Sequence, residues 1–154
     1  MKIRITVGEK DKLNGYVNID PITKFDDISV DIRDISEVVS DSECVELISE
    51  DVLDYLEKEQ SIQALFGWIK KIRRGGKIIV TSVDAYGAAK SFYRKEIDIK
   101  TFNKIMHGNF LFPWDVRLSH TTIEELCQLL ESKGLRITKK RINGIKLIVE
   151  AERS

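Results

Sequence analysis

Residues 62–84, IQALFGWIKKIRRGGKIIVTSVD, restrict the fold more than any other stretch of this chain. Ile62, Leu65, Phe66, Ile69 and Ile72 recur at helical spacing and make one apolar stripe, with Lys70, Lys71 and Arg73 off it. Gly75 and Gly76 are read as the end of that helix, because glycine enters the left-handed region without a Cβ penalty. Lys77-Ile78-Ile79-Val80 then forms a β-branched run, apolar enough for a strand buried on both faces. A helix, a stop and a buried strand are half of a βαβ unit, which predicts a parallel sheet.

Upstream, Ile3-Arg4-Ile5-Thr6-Val7 alternates and reads as a first strand, and Tyr16-Val17-Asn18-Ile19-Asp20 as a second. The eight residues from Gly8 to Gly15 are too few for a crossover helix. Fully extended they reach roughly 26 Å, enough to return beside a strand of roughly 17 Å, so a parallel pair with a clipped crossover is open. An antiparallel hairpin turning at Asn14-Gly15 is also open. The charged segment Glu9-Lys10-Asp11-Lys12 makes a poor strand and favours the parallel arrangement.

Val30 and its neighbours Ile28-Ser29 and Asp31-Ile32 read as a third short strand, and Cys44 to Ile48 as a fourth. Ser49 is the expected N-cap of a short helix with Glu50 and Asp51 in its first turn. Helices are expected at Ala85 to Arg94, after Asp98 with a stop at Gly108, and after Thr122, which with Glu125 fits a capping box. Leu135 to Ile142 and Ile145 to Glu150 are the last strands, meeting at Asn143-Gly144 in a tight turn. The alternation of strands and helices is the α/β signature, and 154 residues suit one domain.

With 25 basic and 25 acidic side chains, net charge points neither to nucleic acid nor to an anionic membrane. Cys44 and Cys127 lack metal-site spacing and sit in apolar runs, as buried free thiols do. No apolar run reaches the roughly 20 residues of a membrane span, and MKIRITVGEK carries no signal-peptide core. A reducing, cytoplasmic setting is expected.

Several segments together resemble the class I S-adenosylmethionine-dependent methyltransferases, and among them the short methyltransferase-domain proteins of bacteria and phages. These are Gly15-Tyr16-Val17-Asn18-Ile19-Asp20, like "GYVNVD"; the acidic Asp31-Ile32-Arg33-Asp34; Asp51-Val52-Leu53-Asp54-Tyr55-Leu56, like "HVLEHL"; and Lys71-Ile72-Arg73-Arg74-Gly75-Gly76-Lys77, like "RVLKPGG". The resemblance covers nearly the whole chain. It implies a Rossmann-like fold, a mostly parallel sheet closed by a C-terminal antiparallel hairpin, and S-adenosylmethionine as cofactor. Two departures stand out. The first loop, Val7-Gly8-Glu9-Lys10-Asp11, keeps one glycine where the family has two or three, and Asp51 and Tyr55 replace frequent histidines.

The resemblance implies Gly8 as the glycine that lets the backbone approach the cofactor, Asp20 at the ribose, Asp31 with Ile32 at the adenine side, and Ser49 and Glu50 at the end of the fourth strand. Each has an ordinary structural alternative. Asp20 can cap the turn before Pro21, Asp31 can sit at a solvated strand end, and Ser49 and Glu50 can serve the helix start. Trp114, Arg117 and His120, beside Phe110 and Phe112, are the candidate acceptor-binding cluster, and a loop packing its aromatics over the sheet edge would look the same. Nothing selects a small-molecule over a protein acceptor, a catalytic base or an oligomeric state. A catalytically silent member acting as a structural or interaction module, or a domain binding another nucleotide, also fits this chain.

Overall fold

The strand order β2-β1-β3-β4-β6-β5 summarises the topology of a single six-stranded sheet. The strands are β1 (Lys2–Ile5), β2 (Val17–Ile19), β3 (Cys44–Glu50), β4 (Ile72–Val83), β5 (Leu135–Asn143) and β6 (Lys146–Arg153). The helices are α1 (Lys58–Lys71), α2 (Ala85–Tyr93), α3 (Ile99–His107) and α4 (Ile123–Ser132), with one 3-10 turn at Leu53–Tyr55. This computed structural model describes residues 1–8, 10–22 and 30–154. Glu9, in the expected first loop, and Ile28 and Ser29, in the expected third strand, lie outside the described residues.

β1 pairs in parallel with β2 (Ile3 opposite Val17) and with β3 (Ile3 opposite Leu47), and β3 pairs in parallel with β4. The clipped parallel crossover is therefore the arrangement adopted. No helix occurs between β1 and β2 among the described residues. β6 enters antiparallel beside β4, and β5 pairs with β6 as the closing hairpin. Gly144 has φ +66, as a tight hairpin requires. The two turn residues are Gly144 and Ile145, since Asn143 pairs with Lys146. Positive φ at the first central position alone is the type II′ pattern, not the type I′ pattern expected of Asn-Gly.

Three other expectations need correction. The helix stops at Lys71, with Ile72 as its C-cap, and Gly75 (φ +77) serves a bulge where β4 slips against β3 between Cys44 and Glu46. Ser49 and Glu50 are the last residues of β3, so they start no helix, and Asp51 turns the chain with φ +54. Glycine at position 51 would relieve that backbone, but no capping role remains there. Val30, Asp31 and Ile32 lie in no strand.

The central strands are not buried on both faces. In β4, Ile78 and Val80 are fully buried while Ile79 and Thr81 are half-exposed. One face of the sheet, with Ile3, Ile5, Leu47, Ile78, Val80, Leu147 and Val149 at 0 % exposure, carries the core. α1 covers it with Ala64, Leu65, Trp68 and Ile69, and α4 with Leu126 and Leu130. Ala64 and Trp68, absent from the expected stripe, replace Ile62 and Phe66 as its centre. The opposite face carries Arg4, Glu46, Glu50, Lys77 and Glu150, joined as Arg4–Glu50 (2.9 Å), Lys77–Glu46 (3.2 Å) and Lys77–Glu150 (3.1 Å). Both cysteines are buried free thiols, as expected. No helix is long and apolar enough to cross a membrane, among the described residues.

Candidate functional site

From β1 the chain moves to one side to form β2 and then to the other to form β3, so the direction of strand addition reverses at β1. In open α/β sheets, ligands bind beyond the C-terminal strand ends at such a reversal. A cavity of about 710 Å³ lies there, lined by Val7 after β1, Pro21 and Ile22 after β2, Tyr55 and Leu56 after β3, Val30 to Arg33, and Pro113, Trp114, Val116 and Leu118. Its size falls within the roughly 300–1,000 Å³ of small-molecule sites, and its walls are mainly apolar.

Asp20 follows β2 and is fully buried. Its Oδ1 accepts from the Gly8 amide (3.2 Å) and the Ile22 amide (2.9 Å), and its Oδ2 from the Thr6 hydroxyl (3.1 Å). It thus ties the first loop to the turn after β2 and sets the spacing of Val7 and Ile22 on the wall. Asp31 lies in the wall itself, in a bidentate pair with Arg33, whose Nε donates to Oδ1 (2.9 Å) and Nη2 to Oδ2 (2.6 Å). Hydrogen bonds from the Arg33 side chain hold the Asp31 carboxyl below the usual carboxylate range, against the opposing effect of burial. Trp68 Nε1 donates to the Ile32 carbonyl (2.8 Å), fixing this segment to α1.

Gly8 has φ +102, and a Cβ there would collide with the six-membered ring of Trp114. The close approach that the glycine permits is made by the protein's own indole. Trp114 stacks on Phe112 (centroids 5.5 Å apart) and meets Tyr55 edge-on (6.0 Å). Of the expected acceptor cluster, Trp114 lines the cavity, whereas Arg117 and His120 turn away from it toward Asp54.

Asp54, which sequence reasoning did not single out, is 1 % exposed. Its Oδ1 accepts from Ser82 Oγ (3.0 Å), its Oδ2 from Arg117 Nη1 (3.1 Å), and His120 Nδ1 lies 3.7 Å from Oδ2. Its backbone carbonyl accepts from the Leu118 and Ser119 amides (2.7 and 3.3 Å). Burial pushes this carboxyl up, opposed by His120, Arg117 and Ser82. The Arg117 guanidinium also lies over the Tyr55 ring (5.0 Å). Asp54 therefore clamps the segment carrying Trp114 onto the end of β3. The only sequence signal was an acid inside an apolar run, since its partners lie 28 to 66 positions away.

Glu50 is held by Arg4 at the end of β3. Ser49 Oγ and Asp51 Oδ1 are buried with no hydrogen-bond partner among the described residues, although Asp51 Oδ2 meets Lys146 (2.5 Å). No group of side chains that could hold a metal ion occurs among the described residues.

No protein-family model matches the sequence, and no curated protein matches it. Solved structures do. The fold is similar to that of an S-adenosylmethionine-dependent methyltransferase from Methanosarcina mazei (TM-score 0.63, 14 % identity, 99 % of this chain and 92 % of that one). It is also similar to one from Archaeoglobus fulgidus (TM-score 0.60, 13 % identity, 90 % and 76 %). Against an O-methyltransferase family protein from Burkholderia thailandensis (TM-score 0.56, 12 % identity) it covers 84 % of this chain and 36 % of that one, so this chain spans about a third of that relative. The chain has a class I methyltransferase-like fold, with a mostly parallel sheet closed by an antiparallel hairpin.

Proposed function

We propose that this protein binds S-adenosylmethionine in the cavity beyond β1, β2 and β3 and transfers its methyl group to an acceptor. The observation that carries the reading is the position of a 710 Å³ cavity at the strand-order reversal of a methyltransferase-like sheet. The cofactor's sulfonium supplies an electrophilic methyl group. The chain's part is to bind and orient, since methyl transfer needs mainly positioning. The adenosyl group fits the apolar wall of Val7, Ile22, Val30 and Ile32, with Asp31 as acceptor for one of its donors. Tyr55 and Trp114 present aromatic rings, which attract a sulfonium cation. Ser49 Oγ and Asp51 Oδ1, at the end of β3, are buried polar atoms with no hydrogen-bond partner among the described residues. Asp20 acts by holding Gly8 and Ile22 in place beside the cavity.

A second reading, a catalytically silent fold serving as a structural or interaction module, is favoured by one observation. Trp114 fills the space above Gly8 where the cofactor's methionine end would approach. Under the first reading this indole moves aside on binding.

Calorimetric titration with S-adenosylhomocysteine separates the two. The first reading predicts saturable heat. Asp31→Ala should weaken binding about tenfold, the loss of one hydrogen bond to a charged acceptor reduced by solvent access. Asp20→Ala should weaken binding and lower the melting temperature together. Absence of heat and of any thermal shift at millimolar ligand leaves the second reading.

A further inference from the structure

The balanced net charge hides a local asymmetry. Of the eleven exposed large hydrophobic side chains among the described residues, eight lie between Tyr86 and Leu118. Scattered exposed apolar residues mean little, but three adjacent ones, Phe110, Leu111 and Phe112, make a contiguous apolar patch of the kind that marks an interaction surface. Residues 86–112 also carry five basic side chains, Lys90, Arg94, Lys95, Lys100 and Lys104, against two acidic ones, Glu96 and Asp98. Asp98 is engaged as the N-cap of α3, accepting from the Thr101 amide (2.8 Å).

α3 buries none of its residues. Phe102 stacks on Phe92 of α2 (4.5 Å), Ile99 is 57 % exposed, and Lys100 and Lys104 flank a shallow hollow that continues to Phe110. After Gly108 the chain holds Phe110, Leu111 and Phe112 in water at 64, 74 and 56 % exposure. This exposure is built into the loop. Phe110 takes φ +57, a conformation a bulky residue adopts at a cost, and the buried Asp115 accepts from the Asn109 and Leu111 amides. Gly108 (φ +97) is required, since a Cβ would collide with the Asp115 carbonyl.

We propose that α3 and residues 110–112 form a docking surface for an anionic lipid bilayer. The apolar tip Phe110–Phe112, with Ile99, would enter the acyl boundary while Lys100 and Lys104 on the exposed side of α3 meet the headgroups, the division of labour found at membrane interfaces. Two copies of this face would set like charges against each other, which disfavours self-pairing. The apolar tip distinguishes the surface from one built for a polyanion such as nucleic acid, which calls for charge and hydrogen-bond donors. The proposal stands independently of methyl transfer.

The test is co-sedimentation with vesicles of phosphatidylcholine mixed with phosphatidylglycerol, compared with phosphatidylcholine alone. The protein should bind the mixed vesicles and not the neutral ones, and added salt should weaken binding. Lys100→Ala with Lys104→Ala should reduce partitioning about 25-fold, from about fivefold for each lysine. Phe110→Ser with Leu111→Ser should reduce it about tenfold or more. Thermal melting should show these exposed substitutions folded, and the salt and lipid dependence of the unaltered protein decides the matter if one is not. Failure to bind mixed vesicles overturns the proposal. So does loss with the lysine pair but not with Phe110→Ser and Leu111→Ser, which indicates a polyanion partner. A dimer in sedimentation velocity that Phe110→Ser with Leu111→Ser dissociates assigns the surface to a second copy and also overturns it.

Discussion

The two faces of the sheet are held by different physics. On one, Ile3, Ile5, Leu47, Ile78, Val80, Leu147 and Val149 are fully buried beneath α1 and α4. On the other, Arg4, Glu46, Glu50, Lys77 and Glu150 pair across the strands, with Ile48, Ile79 and Ile148 half-exposed between them. Burying one such aliphatic side chain contributes roughly 1.5–3 kcal/mol, whereas ion pairs that keep one partner 37–42 % exposed contribute about 0–1 kcal/mol. The helix-covered face therefore carries most of the stability, and the charged face pairs its own charges across the strands. The short β1–β2 link explains the asymmetry. Its length leaves no room for a helix that could cover the second face.

The largest expected effect is at the rim of the covered side, where a buried charge is held. Asp54→Ala strands Arg117 and frees the Trp114 segment, and should cost about 3–5 kcal/mol in denaturant unfolding. Adjacent positions of β4 test the comparison itself. Ile78→Ala should cost about 3 kcal/mol and Ile79→Ala about 1 kcal/mol. Equal costs would mean that the faces do not differ. Lys77→Ala, removing two contacts on the charged face, should cost at most about 1 kcal/mol and less in high salt.

The smallest effect depends on pH. Burial pushes the Glu125 carboxyl up, but hydrogen bonds from Lys58 and Thr121 outweigh it and hold the group below the ordinary glutamate value of about 4.5. A depressed acid contributes stability that is fully present above its unfolded value and lost as pH falls through its folded value. Melting temperatures should therefore fall below about pH 4.5 less steeply in Glu125→Gln than in the unaltered protein.

The α/β alternation, the preference for a parallel β1–β2 pair and the closing hairpin are legible in the sequence, because β-branched runs and turn signals are local; the strand order is not. The caps at Asp98 and Thr122 were legible for the same reason, and both side chains accept the amide three residues on. Local reading failed where tertiary contacts decide. Ser49 and Glu50 have the chemistry of a helix start, yet parallel pairing with β1 and β4 extends β3 through them. The KIIV run has the composition of a strand buried on both sides, and nothing local shows that Ile79 faces a layer of charged side chains. At the site, the aromatic character of the segment around Trp114 is legible, but the seat of its indole on Gly8 is not. The turning of Arg117 and His120 toward Asp54 left no mark in the sequence.

The central claim is that the cavity holding Trp114 receives the adenosyl cofactor. The chain has two tryptophans, Trp68, buried and bonded to the Ile32 carbonyl, and Trp114, on the cavity wall. Their indole N–H signals in a nitrogen–proton correlation spectrum, assigned with Trp114→Phe, report the two places separately. Titration with S-adenosylhomocysteine should shift the Trp114 signal saturably and by more than that of Trp68. Two indole signals that stay fixed up to millimolar ligand would contradict the account.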